Sequence, residues 1–119
     1  MTKAKLDIQL LTKEIIKFRD ARDWKQFHNP KDVALSLVLE ATEVMEHFQW
    51  KNQQEIEKHV KKNRSKIAEE LADVLYWVLL ISNDLKIDLP IALRKKLLKN
   101  KKSYPINKSK GRHNKYIEL

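Results

Sequence analysis

The sequence predicts an all-α fold, a bundle of about four main helices completed by a second copy of the chain. Three observations carry this reading. Apolar residues recur at helical spacing with no repeat, linker or low-complexity segment before residue 103. The 119 residues include one Gly and three Pro, too few for the tight turns of a sheet-rich fold. The stretch from about residue 63 to residue 85 is apolar nearly all round, so it must be buried nearly all round. The length fits one domain, read as a helical body over 1–102 and a basic tail over 103–119 that belongs to it.

The first helix is expected from about Lys3 to Arg22, with Ile8, Leu11, Ile15 and Phe18 on one face. A connector, Asp23 to His28, follows. Asn29-Pro30 is a start signal, because Asn accepts from free N–H groups and Pro suits the first helical position. The second helix is expected over Pro30–Trp50. A short helix from Gln53 or Gln54 to about Lys62 comes next. Asn63 or Ser65 then opens a third helix to about Leu85. Asp88-Leu89-Pro90 starts a fourth, running to about Lys102, and Pro105 cannot extend it. The last 15 or so residues read as irregular, ordering on a ligand.

Composition excludes several functions. The single glycine, Gly111, rules out the glycine-rich phosphate loops of P-loop and Rossmann proteins. With no cysteine there is neither a disulfide framework nor a thiolate metal site. The start MTKAKLDIQL lacks the apolar stretch of a signal peptide. The longest apolar uncharged run, Val74–Asn83, is half of the roughly 20 residues a membrane span needs. A cytoplasmic protein with no membrane partner is therefore expected.

The net charge of +9 is unevenly placed. Residues 1–93 sum to zero, whereas residues 94–115 hold ten basic side chains and no acid. Such a segment points to a polyanionic partner: nucleic acid, an acidic membrane or a phosphorylated small molecule.

Acids occupy unexpected places. On a helical wheel, Val33, Ala34, Leu37, Val38, Ala41, Val44, Met45 and Phe48 fill one apolar arc of the second helix, with Leu35 and Leu39 outside it. Glu40 borders that arc beside Val33. Glu43 lies about one turn along on the same side, in a narrow polar strip with His47. The third helix repeats the pattern. Glu70 falls beside Ile81, and Asp73 falls between Leu80 and Trp77. Carboxylates against apolar neighbours are costly to desolvate and repel one another, so a cation is needed. Hard oxygen donors favour Mg²⁺, with Mn²⁺ as the alternative. The di-iron bundles use Glu-x-x-His pairs, and Glu43 to His47 is spaced by four instead. The competing reading of such pairs is an ordinary surface lined with Lys.

These residues carry a resemblance. Arg22-Asp23-Trp24, Gln26-Phe27-His28-Asn29-Pro30, Leu39-Glu40-Ala41-Thr42-Glu43 and Phe48-Gln49-Trp50-Lys51 stand in an order similar to the MazG-like nucleotide pyrophosphohydrolases. So do Glu69 to Leu75, Asp88-Leu89-Pro90, Lys96-x-x-x-Asn100, Tyr104-Pro105, Ser109-Lys110-Gly111 and Lys115-Tyr116. The nearest branch is the dCTP pyrophosphatase group of the all-α NTP pyrophosphatases. The resemblance implies a homodimer or homotetramer with its active site near a subunit interface. It also implies Mg²⁺-dependent hydrolysis of a nucleoside triphosphate to the monophosphate and pyrophosphate. Glu40, Glu43, Glu70 and Asp73 match the metal-binding carboxylates. Glu43 is the expected general base, as the carboxylate deeper in the polar strip. Trp24, His28 and Trp50 match positions near the base pocket, and Trp77, four residues after Asp73, joins them with Phe27 as a stacking candidate. Lys96, Asn100, Tyr104, Lys110 and Lys115 match substrate contacts. Ser103 stands where the family often places Arg or Lys, and Lys102 is the candidate replacement. The alternative function is a basic helical nucleic-acid-binding module, which gives no use to the enclosed carboxylates.

Overall fold

A computed structural model describes residues 6–119. Among them every regular element is helical: α1 (Ile8–Asp20), α2 (Pro30–Glu46), α3 (Gln53–Asp84), α4 (Leu89–Ser103) and α5 (Ile106–Ser109). Single 3₁₀ turns lie at Lys25–Phe27 and Tyr116–Glu118. The chain packs as two compact units, Met1–Lys86 and Ile87–Leu119. No helix of the described residues is long and apolar enough to cross a membrane.

The caps explain the boundaries. Asp7 accepts from the Leu10 N–H at 2.8 Å, so α1 starts later than periodicity alone implies. The expected residues 3–5 of that helix lie outside the described part. Asn29 accepts from the Asp32 N–H at 2.9 Å with Pro30 at the first turn, as read from sequence. Asn52 and Glu55 form a reciprocal capping box at the start of α3. The sequence reading separated a short helix from a longer third one near residue 63. The backbone agrees with that separation: Asn63 takes non-helical φ −115° and ψ 21°, so α3 is two helical stretches that meet at a kink. Asp88 caps α4 through the Ile91 N–H at 3.1 Å. The tail is not wholly irregular: the Pro105 carbonyl accepts from the Lys108 and Ser109 N–H groups, closing α5.

The second helix ends at Glu46 rather than Trp50. Its final turn tightens, and Trp50 takes φ 67°, a left-handed position that usually belongs to glycine. The indole is 91% exposed, so packing within this chain does not compensate the strain. Trp50→Gly is expected to stabilise the isolated chain by about 0.5 kcal/mol, the strain relieved less the greater freedom of unfolded glycine. A urea midpoint measured on dilute protein reads this.

In the first unit α3 is the central element; α2 packs on it most extensively and α1 to a lesser degree. Val33, Leu79 and Leu80 are the fully buried apolar side chains among the described residues. Arg19 is equally buried, and its Nη1 donates to both carboxylate oxygens of Asp84 at 3.0 and 2.8 Å. This pair fastens the end of α1 to the end of α3. Much of the apolar surface expected to be buried is open in the single chain. On α2, Val38 and Met45 are more than half exposed, and on α3 so is Leu71, with Leu75 close behind. Helical periodicity marks those faces as apolar, but α1 and α2 are too few to cover them.

Candidate active site

The packing of α2 on α3 sets the acids of the two helices against one another. Glu40 is half-buried, Glu43 exposed, Glu70 buried and Asp73 exposed. Burial first, then a proton shared with Glu43 and the charges of Glu43, Asp73 and Glu70, push the Glu40 carboxyl above its ordinary value. Its Oε2 is closed to solvent and has no hydrogen-bond partner. The sequence reading placed Glu43 deeper in the polar strip. The order is reversed, because the Glu40 position faces α3 whereas Glu43 opens to water.

Glu70 is differently engaged. Its Oε2 bonds to Nε2 of His47, just past the end of α2. His47 Nδ1 in turn lies 2.7 Å from His59 Nε2. Among the described residues no three His, Asp or Glu side chains close round one point. The donor set still fits a hard divalent cation: oxygen ligands, mutual repulsion and one enclosed oxygen without a partner.

Asp73 also borders a second feature. A cleft of about 520 Å³ is lined by Leu11, Glu14, Ile15, Phe18, Trp24, Asp73, Tyr76 and Trp77. Its aromatic rings meet edge to face: Phe18 with Trp24 at 5.7 Å between centroids, and Tyr76 with Trp77 at 5.1 Å. The Arg22 guanidinium lies 3.8 Å from the centre of the Phe18 ring. His28 meets Trp77 edge-on at 5.5 Å, and its Nδ1 is enclosed with no partner. The structure thus brings Trp24 and Trp77 to one cleft beside the acids, with His28 against Trp77. Trp50 and Phe27 do not line it. Sequence reasoning missed Phe18 and Tyr76 as cleft residues. The signal was present, since Leu11, Ile15 and Phe18 share a face, but that face reads equally well as core.

The remaining candidates lie in the second unit. Lys96 and Asn100 are on α4, and the Tyr104 N–H closes that helix on the Asn100 carbonyl at 2.8 Å. Tyr104 meets Tyr116 edge-on at 6.1 Å. Lys110 and Lys115 are exposed, and Gly111 takes φ 77°, a left-handed position that favours glycine.

Residues 35–119 match the sequence profile of the MazG-like family. The chain belongs to the MazG-like family. The matched span holds all four carboxylates, whereas Trp24 and His28 precede it. Among curated relatives, dCTP pyrophosphatase 1 of Rattus norvegicus is 38% identical over 104 residues, covering 86% of this chain and 61% of its own length. The Homo sapiens protein of the same name is 36% identical over the same shares. The chain therefore spans about three-fifths of those relatives. A pyrophosphatase of solved structure from Archaeoglobus fulgidus superimposes with a TM-score of 0.79 at 30% identity, over 88% of this chain and 98% of that one. The MazG-like all-α fold agrees with the sequence expectation.

Proposed function

We propose that this chain is a nucleoside triphosphate pyrophosphohydrolase acting on dCTP-like or modified deoxynucleotides, a house-cleaning activity of the cytoplasm. The observation that carries this is Asp73, shared between a carboxylate cluster and a cleft lined by Phe18, Trp24, Tyr76 and Trp77. A site that must hold phosphates at one end and a flat base at the other has this composition. The names of the relatives, dCTP pyrophosphatase and pyrophosphatase, support it.

Glu40, Glu43, Glu70 and Asp73 would hold Mg²⁺, or Mn²⁺, which neutralises phosphate oxygens and polarises phosphorus. Trp24 and Trp77 receive the base, and His28 braces Trp77. Glu43 faces water and takes the proton of the attacking molecule. The new oxygen bond to the α-phosphorus forms as the bond to the bridging oxygen breaks, and pyrophosphate leaves. The family resemblance assigns triphosphate contacts to Lys96, Asn100, Tyr104, Lys110 and Lys115, with the ammonium groups acting as point charges. A homodimer or homotetramer covers the open apolar faces of α2 and α3 and brings in Trp50.

A panel of deoxy- and ribonucleoside triphosphates assayed for pyrophosphate, with and without Mg²⁺, tests the activity. Metal-dependent release from a cytosine deoxynucleotide is expected; inactivity across the panel would refute the proposal. Trp77→Ala should raise KM about 10-fold or more, since stacking is worth roughly 1–3 kcal/mol per base. An unchanged KM would place the base elsewhere.

A further inference from the structure

His47, His59 and Asn63 are unused by the chemistry above, yet they form an unbroken line to Glu70. The Asn63 side-chain amide lies 3.0 Å from the His59 carbonyl and 3.2 Å from His59 Nδ1, both measured from Nδ2. A carbonyl only accepts, so Nδ2 is the donor and the amide orientation is fixed. His59 Nδ1 is then an acceptor, and its Nε2 carries the proton. That proton points at His47 Nδ1, 2.7 Å away. His47 Nδ1 accepts, so its Nε2 carries a proton, which meets the Glu70 carboxylate. Both tautomers follow from the network of hydrogen bonds.

Geometry supplies this line through the kink. Asn63 is the residue of α3 with non-helical backbone angles, and its side chain caps the carbonyl of His59 one turn back. His59 lies before the kink and Glu70 beyond it, with His47, the residue that follows α2, between them.

We infer that His47, backed by His59 and Asn63, is a positioning residue that holds one oxygen of Glu70 and leaves the other free for the divalent cation. This rests on the cation reading of the carboxylates given above. A ligating carboxylate hydrogen-bonded from behind keeps its orientation when the ion departs, and removing such support commonly weakens metal affinity 10–100-fold.

The test uses the full chain without nucleotide. Long-range ¹⁵N–¹H correlation spectra of the metal-free protein should show His47 and His59 both as the Nε2–H tautomer; Nδ1–H on either ring overturns the inference. Mn²⁺ binding, followed by electron paramagnetic resonance, should weaken 10–100-fold in His47→Leu and return to within about threefold of wild type in His47→Gln, which keeps an N–H donor. Wild-type affinity in His47→Leu overturns this inference alone. A wild-type protein that takes up no Mn²⁺ overturns the cation reading and the inference with it. Should His47→Leu fail to fold, Asn63→Asp serves instead. It turns the first donor into an acceptor without touching Glu70, so His59 should switch to Nδ1–H and Mn²⁺ affinity should fall. An unswitched ring with unchanged affinity overturns the inference.

Discussion

Glu40→Gln is expected to lower kcat/KM by about 10³-fold or more while making the metal-free protein more stable. The first effect follows from removing a charged oxygen donor where a cation would contribute several kcal/mol, at about 1.4 kcal/mol per tenfold. The second follows from the environment of the carboxyl. Burial, then Glu43, Asp73 and Glu70, raise its folded pKa above the unfolded one. The folded state therefore binds the proton more tightly, and stability is greatest below the unfolded pKa. It falls as pH rises through the window up to the raised folded value. At neutral pH the ionised group opposes folding until a cation binds. Gln removes that opposition, a gain of about 1 kcal/mol, or roughly 4 °C for a domain of this size. Calorimetry in chelator across the acid range checks both the gain and the loss of the pH slope. A variant that is both active and less stable would remove Glu40 from the cation site.

Arg19→Met is expected to destabilise the protein by about 3 kcal/mol with the active-site acids untouched. Met keeps the aliphatic stem but deletes the donor to Asp84, leaving that partly exposed carboxylate without its partner and the ends of α1 and α3 without their link. The loss falls at the lower end of the buried-pair range because the Asp84 side chain is 23% exposed and keeps some water. Replacing both residues, Arg19→Met with Asp84→Leu, should recover most of the loss, since the penalty comes from the orphaned charge. Urea denaturation of the two single variants and the double variant measures this. Equal instability of single and double variants would show that packing, not charge, sets the cost.

Much of the fold was legible because its signals are local. Asn29-Pro30 and Asp88-Leu89-Pro90 start helices by side-chain chemistry within one turn, and both caps are present. Glu40 and Glu70 were legible as acids facing apolar neighbours because helical spacing fixes direction. What depends on a second element was not legible. His47 could be placed in the strip with Glu40 and Glu43, but its bond to Glu70 needs the packing of α2 on α3. Leu71 and Val38 could be read as apolar, but periodicity carries no record of what covers them.

The three tryptophans are expected to divide into two optical populations. Trp24 and Trp77 line the cleft, whereas Trp50 is 91% exposed on the left-handed turn after α2. Trp50 should dominate the red edge of the emission spectrum and be the most accessible to a soluble quencher such as iodide. Nucleotide in the cleft should dim the bluer emission of the other two, and a neighbouring subunit laid over the turn should shift the red component instead. The chain thus carries its own pair of fluorophores, one for ligand occupancy and one for assembly, separable by wavelength in a single titration.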